Sequence, residues 1–207
     1  MRVDRVVLRA ALSTLAAIFT LLVLMFAALA FIYPSTMMKI TYDLGLDGAS
    51  VRYAARAYDR GGEIYYIAFA TEVAIGDENY EKIDACGSKF IKDDQFTAYY
   101  AEKNQNLPEG ATGTYEQYIY GQVCVAKYRL GKTEEAIEYS FELNGSSFAE
   151  NNAVAAVALT AILAEDGEAV ASVLSKLEAF KTEHEGTLGE EELAYLNKII
   201  GFAQVNG

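Results

Sequence analysis

The sequence predicts an all-α fold in which one N-terminal transmembrane helix precedes a body of short helices. Residues 10–33 contain no charged residue, and a spanning helix needs about 20 apolar residues. Beyond this run, apolar residues recur at the three- and four-residue spacing of helices, and no alternating stretch of strand length occurs. Breaks containing glycine divide the body at short intervals, which favours short helices with shorter connections.

The apolar run is interpreted as an uncleaved membrane anchor. Three arginines precede it in residues 1–9, and Tyr33 and Pro34 close it. Because basic residues stay on the cytoplasmic side of a bilayer, residues 1–9 are expected to form a short cytoplasmic tail. The body, residues 35–207, is then extracytoplasmic, in a protein of the cell membrane with a single pass.

A signal peptide is the alternative for the same run. Ala28-Leu29-Ala30 fits the small-x-small pattern of a cleavage site after a basic start. The apolar region of a signal peptide is normally about 7–15 residues long, which is shorter than this run. Length therefore favours the anchor, while cleavage after Ala30 stays open.

The first half of the body is predicted to contain five helices and one loop. The predicted helices are 35–45, 47–60, 62–75, 77–91 and 93–103. Ile64, Ile67 and Ile75 fall on one face of the third helix. Asp77 and Asp93 suit the N-caps of the next two, because a carboxylate accepts hydrogen bonds from the free amides of a first turn. Residues 104–113 form the loop.

Five further helices are predicted after this loop. They are 114–130, 132–144, 148–165, 167–185 and 188–205. Three capping boxes mark starts, at Thr114…Gln117, Ser147…Glu150 and Thr187…Glu190. The apolar run Ala153–Ala164 is too short to span a membrane and is interpreted as a buried core helix.

An internal repeat suggests how the helices are organised. Residues 128–131 (YRLG) echo residues 42–45 (YDLG), and residues 131–136 are matched 35 positions later. The segment YRLGKTEEAIEYS, residues 128–140, resembles the inter-helix turn of the tetratricopeptide-repeat (TPR) family, whose period is about 34. In that family a glycine, here Gly131, ends the first helix, and a small residue, here Ala136, lets the second pack closely.

This resemblance covers residues 114–145 and is incomplete. Lys127 stands where the family usually has an aromatic residue, and Ser140 departs in the same way. The resemblance implies an α-solenoid of antiparallel helix pairs, TPR-like in form, that engages another protein.

The net negative charge of the body argues against nucleic-acid binding. The chain has 17 basic and 29 acidic residues, and removing those of the first 33 positions leaves 14 and 28, a body of net charge −14. Such a body is expected to repel nucleic acid and anionic lipid, whose binding needs basic patches.

Residues for catalysis are scarce, so no catalytic residue, metal site or cofactor is predicted. His184 is the only histidine, which rules out a site with several histidine ligands, and its charged surroundings predict a solvated side chain. Adjacent acids such as Glu134-Glu135 suit first helical turns facing solvent. Cys86 and Cys124 either form a disulfide or pack as small buried residues.

Tyrosine provides the candidate partner-binding residues. They are Tyr65, Tyr66, Tyr99, Tyr100, Tyr115 and Tyr118. Tyrosine offers a large contact area at low entropic cost, and the neighbouring 104–113 loop is a further candidate. Ordinary packing between helices is the alternative explanation of the same residues.

The sequence therefore predicts a single-pass, membrane-anchored scaffold, not an enzyme, that engages a protein or peptide partner outside the cytoplasm. One alternative is a non-catalytic subunit of a larger membrane complex, in which Ser13, Thr14 and Thr20 help the anchor to associate with other helices. Another is an exported hydrolase that uses a carboxylate pair brought together by folding.

Overall fold

The computed structural model describes residues 2–108, 113–144 and 152–206, and all regular structure within these ranges is helical. This confirms the all-α class. The helices described there are α1 Arg2–Ile32, α2 Pro34–Asp43, α3 Asp47–Asp59, α4 Ile64–Gly76, α5 (Tyr80–Lys82, a π-helical turn Ile83–Gly87, and Ser88–Ile91), α6 Phe96–Gln105, α7 Tyr115–Arg129, α8 Thr133–Asn144, α9 Ala153–Leu163, α10 Gly167–His184 and α11 Glu190–Asn206.

Helix α1 is exposed along most of its length. Its apolar part, Val6–Ile32, is 27 residues long, and its most apolar stretch is not buried against the rest of the chain. By length and composition this helix could span a membrane. A signal sequence would meet the same two criteria. It ends at Ile32, where Tyr33 leaves the helix and Pro34 begins α2.

One predicted cap is confirmed, one is replaced by a neighbouring residue, and one carboxylate caps the turn before its helix. Thr114 and Gln117 form the predicted capping box at the start of α7. Helix α5 begins later than predicted, because the side chain of Asn79, and not that of Asp77, accepts the amide of Lys82 at 3.2 Å. The carboxylate of Asp93 accepts the amide of Gln95 at 2.9 Å, ahead of α6.

The starts of two later helices also differ from the prediction. The Thr187 hydroxyl donates to the carbonyl of His184, while Glu192 accepts the amide of Gly189 at 2.9 Å at the start of α11. Helix α9 begins at Ala153, because Asn152 is extended and its side chain accepts the amide of Ala155. The Ser147…Glu150 box lies outside the described residues.

The helices pack on their neighbours in the chain and on alternate helices. Contacts join α5 with α7, α7 with α9, and α9 with α11. Two buried clusters account for most of the core. One lies between α2 and α7 around Met38, Ile67 and Phe90, and the other lies between α7 and α11 around Leu177 and Leu196.

Two glycines let α7 approach its neighbours closely. A Cβ atom on Gly87, in the π-helical turn, would lie 2.4 Å from Cγ2 of Val123. A Cβ atom on Gly121 would lie 3.2 Å from that of Ala156 on α9. Val123 is itself fully buried. The missing side chains therefore set the spacing of α5, α7 and α9.

A buried ion cluster joins α5, α7 and α8. The Lys127 ammonium lies 2.7 Å from Asp84 and 2.5 Å from Glu135, and Lys132 lies 2.6 Å from the other oxygen of Asp84. The side chains of Asp84 and Lys127 are 11% and 8% exposed. Burial of a charge is costly unless the charge is paired and hydrogen-bonded. Lys127, where the TPR pattern has an aromatic residue, therefore holds three helices together.

Replacing Lys127 with methionine is expected to destabilise the fold by about 2 kcal/mol, because Asp84 loses one of its two cationic partners in a buried site and keeps Lys132 and the Ser88 hydroxyl. The matched control is Lys89→Met, which breaks the exposed pair with Asp59 and should cost less than about 1 kcal/mol. Urea unfolding of the full chain in detergent, followed by circular dichroism, measures both. Equal losses in the two variants would contradict a specific role of the buried cluster.

The same cluster predicts a pH dependence, and this is checked in the same experiment. Burial alone would raise the pKa of Asp84, but hydrogen bonds from Lys127 and Lys132 outweigh burial and lower it. A lowered folded pKa stabilises the protein above the unfolded pKa of about 3.9, and this contribution is lost as the pH falls below that value. The difference between the native chain and Lys127→Met should therefore shrink below about pH 4.

Gly87→Ala is expected to destabilise the protein by about 1–3 kcal/mol, because the added methyl overlaps the rigid side chain of Val123. Gly48→Ala is the control, since a Cβ atom on Gly48 meets nothing within 4 Å in α3. Alanine favours helix there, so stability should stay equal or rise by up to about 1 kcal/mol. Thermal midpoints of both variants test this, and a stable Gly87→Ala protein would contradict the close approach.

Candidate partner-binding surface

The six predicted tyrosines lie on three helices, and five of them reach the surface. Tyr65 on α4 and Tyr115 and Tyr118 on α7 are exposed, whereas Tyr66 and Tyr99 are half-buried. Tyr100 on α6 is 1% exposed. It therefore packs against the other rings and has no exposed surface for a partner to contact.

Ring contacts connect most of these tyrosines to other aromatic side chains. The rings of Tyr100 and Tyr115 stack with centroids 5.6 Å apart and an angle of 10°. Tyr99 contacts Tyr100 edge to face at 5.1 Å. On α4, the ring centroid of Tyr65 lies 5.6 Å from that of Tyr66 and 6.2 Å from that of Phe69. Such offset and edge-to-face pairs stabilise beyond their buried area.

A lysine lies over three of the rings. The Lys103 ammonium is 5.3, 5.1 and 5.9 Å from the ring centroids of Tyr99, Tyr100 and Tyr115, within range of a cation–π interaction. It also pairs with Glu72 at 3.2 Å, and the Tyr100 hydroxyl donates to the same carboxylate at 3.0 Å. Burial and the Glu72 charge raise the pKa of Tyr100. The phenol stays protonated and keeps the rings in place.

Hydrogen bonds connect the start of α7 to the end of α6, beside the tyrosine cluster formed by Tyr99, Tyr100 and Tyr115. Asn104, at the end of α6, accepts the amide of Tyr115 at 3.1 Å, and its amide group donates to Glu116. Of the predicted 104–113 loop, residues 109–112 lie outside the described residues, and residues 104 and 105 belong to α6. The described ends of the loop therefore hold α6 and α7 side by side.

A larger apolar groove runs across α7, α9 and α11, and we call it the α7–α9–α11 groove. It encloses about 570 Å³, a volume within the range of ligand pockets. Its lining includes Tyr118, Gly121, Ala156, Leu159, Ile199 and Phe202. Three of these side chains stand open to solvent, with exposed fractions of 48% for Tyr118, 47% for Leu159 and 45% for Phe202.

The tyrosine cluster and this groove meet at Tyr118. A second groove of about 460 Å³ is lined by Glu72, Tyr100, Lys103, Tyr115 and Tyr118, among others. Tyr118 therefore borders both grooves, and one apolar and aromatic surface extends from α4 to α11.

Sequence reasoning missed the far half of this surface. The run Ala153–Ala164 was expected to be a buried core helix, and most of α9 is buried, but Leu159 and Leu163 are 47% and 72% exposed. The run is apolar on every side, so its periodicity marks no solvent face. Phe202, which is 45% exposed on the predicted helix 188–205, was not among the candidate residues either.

The ion cluster around Lys127 brings two carboxylates close to one lysine. Asp84 and Glu135 are brought together, but Lys127 lies between them. Burial alone would lower the pKa of Lys127, but hydrogen bonds to both carboxylates raise it. With Asp84 also held charged, neither group is poised to exchange protons near neutral pH. The described residues contain no group of three metal-ligating side chains of the His, Cys, Asp and Glu types.

The remaining reactive side chains are packed. The imidazole of His184 stacks on Phe180 with centroids 4.1 Å apart, so it is half-buried and less solvated than expected. Cys86 and Cys124 are buried free thiols, which corresponds to the second of the two options left by the sequence. Burial raises the pKa of Cys124 to about 12, and a protonated thiol is a poor nucleophile.

The chain was compared with family models, curated proteins and solved structures, and it matches none of them.

Proposed function

We propose that this chain is a single-pass, membrane-anchored helical scaffold that binds a protein or peptide partner outside the cytoplasm. The observation that carries the proposal is the open apolar floor of the α7–α9–α11 groove, where Tyr118, Leu159 and Phe202 each keep almost half of their surface exposed. Exposed apolar patches of this kind favour a role in association.

The composition of the surface favours a polypeptide as the partner. Aromatic and aliphatic side chains provide anchor points for hot-spot residues, and the polar side chains of Gln122 and Lys198 also line the groove. The body carries a net charge of −14, so electrostatic steering favours a partner with positive charge around an apolar segment.

We also infer that the body is built from helical hairpins stacked as a TPR-like solenoid. The contacts of α7 with α9 and of α9 with α11 fit this order, because alternate helices line one face of such a stack. Gly131 adopts a positive φ of 76° between α7 and α8, and Ala136 is fully buried. Both fit the roles that the resemblance assigns to them.

The orientation of the anchor rests on the three arginines before it. Arg56 and Arg60 lie at its other end in space, but they follow it by more than 20 residues and belong to a folded helix. The bias toward cytoplasmic basic residues counts those within about 15–20 residues of the span, and long domains are exported regardless of charge. We therefore propose that the body lies outside the cytoplasm.

The partner-binding proposal predicts the effect of charges in the groove. The double substitution Leu159→Asp and Phe202→Asp should weaken partner binding at least about tenfold, because two exposed apolar side chains that the partner would cover are replaced by carboxylates that lose their solvation on binding. A photoreactive residue in place of Gln122 measures this as the yield of a defined crosslinked species in native membranes. Thermal stability should change little, since both side chains are exposed.

The matched control places aspartates at Leu44 and Leu46, which are 66% and 53% exposed in the turn between α2 and α3. This control should leave the crosslinking yield unchanged. Equal yields in the groove variant and the native chain would overturn binding in the groove. Equal losses in both variants would show a general effect of added negative charge and would contradict the proposal as well.

The anchor proposal predicts that α1 stays attached. Digestion with trypsin of the protein from its own membrane should release the peptide 10–39, bounded by Arg9 and Lys39. A cleaved signal peptide would give the peptide 31–39, beginning at Phe31. Mass spectrometry distinguishes the two, and recovery of the shorter peptide alone would overturn the retained anchor while leaving the groove proposal intact.

A further inference from the structure

Three arginines form a single stripe that begins midway along α3 and ends at the residue after it. Arg52, Arg56 and Arg60 recur every four residues, and all three are exposed. Residues four apart lie on the same side of a helix. They are three of the four arginines that follow the apolar run, the fourth being Arg129. Within the part of the chain that the structure describes, none of the three forms an ion pair with a carboxylate.

The stripe ends against the last turn of α1. A guanidinium nitrogen of Arg56 lies 3.5 Å from the carbonyl oxygen of Ala30, and Arg60 donates to the carbonyl of Phe31. The Arg60 guanidinium also lies 4.8 Å from the ring centroid of Phe31. The last carbonyls of a helix lack amide partners and form the negative end of its dipole. The arginines therefore occupy a position that suits their charge.

This contact lies where the apolar part of α1 ends. At 1.5 Å per residue, the 27 residues Val6–Ile32 extend about 40 Å, whereas the hydrocarbon core of a bilayer is about 30 Å thick. A spanning α1 therefore brings Ala30 and Phe31 to the level of the lipid headgroups. The two guanidinium groups that touch them then lie at the same level.

We propose that Arg52, Arg56 and Arg60 bind the phosphates of anionic lipids at the membrane surface from which α1 emerges. A guanidinium group donates two parallel hydrogen bonds to a phosphate, which a lysine ammonium does not. The inference rests on the retention of α1 in the proposed function and not on the partner-binding groove. It adds a second binding site of different chemistry.

The proposal departs from the expectation that the body repels anionic lipid. That expectation used the net charge of −14 over the whole body. At physiological ionic strength, charges further apart than about 8 Å are largely screened from each other. The stripe beside the bilayer therefore dominates the local interaction, and distant carboxylates contribute little.

Native mass spectrometry of the full chain in a neutral detergent tests this site. Phosphatidylglycerol and phosphatidylcholine are added at equal concentrations, and bound lipids are counted as mass adducts. The native chain should prefer phosphatidylglycerol. The triple substitution Arg52→Gln, Arg56→Gln and Arg60→Gln should lower that preference at least about tenfold, since each basic residue near an anionic surface contributes about fivefold.

The control triple Lys92→Gln, Arg129→Gln and Lys176→Gln removes the same charge from other helices, so the preference should persist. The triple substitution to lysine keeps the charge and should retain only part of the preference, and circular dichroism checks that each variant is folded. Inorganic phosphate should not compete with the lipid, because it is not held at the level of Ala30. Equal losses in the stripe and control triples, or competition by inorganic phosphate, would overturn the inference.

The same spectra separate this inference from the anchor proposal. A full-length chain without a preference for phosphatidylglycerol would overturn lipid binding by the stripe and leave the retained anchor intact. A mass that lacks residues 1–30 would overturn the retained anchor, and the lipid site with it, because the stripe would no longer be held at a membrane.

Discussion

The structure depends on how closely helix α7 approaches its neighbours. It packs on α5, α8 and α9, and glycine makes two of these contacts possible: Gly87 beneath Val123, and Gly121 against Ala156. At its C-terminal end a buried lysine, Lys127, replaces apolar packing. Desolvation of that ammonium is tolerated only because two carboxylates converge on it. The two hydrophobic clusters lie on either side of α7, so a shift of this helix would disturb both.

Periodicity was sufficient for the fold class and for most helices, because each helix buries one face locally. It was less informative where several acceptors compete for a helix start. Asp77 and Asn79 both suit an N-cap, and only the geometry of the turn, with Glu78 at a φ of 52°, decides for Asn79. The groove was hidden because Tyr118, Leu159 and Phe202 are far apart in sequence and meet only when three helices pack. Asp84, one of the two partners of Lys127, is non-local in the same sense.

Two surfaces divide the exported body as we propose it. The Arg52–Arg60 stripe lies on α3 beside the anchor, whereas the α7–α9–α11 groove lies on helices from the second half of the chain. The tyrosine cluster of α6 and α7 lies between them in chain order and is held by Glu72 and Lys103. In this arrangement, binding of lipid headgroups and binding of a partner use different helices and different chemistry, one ionic and the other apolar.

The contact between α3 and the end of α1 also bears on the fate of the N-terminal segment during export. Hydrolysis of the bond between Ala30 and Phe31 would remove the carbonyl beside Arg56 and create an α-ammonium group on Phe31. An α-amino group has a pKa of about 8, so it is mostly charged at neutral pH. The arginines would then face a cation at the new chain start instead of the negative end of a helix dipole. A processed protein would carry three positive charges around one residue, and Arg60 would keep only the carbonyl and the ring of Phe31 as partners at the new chain start.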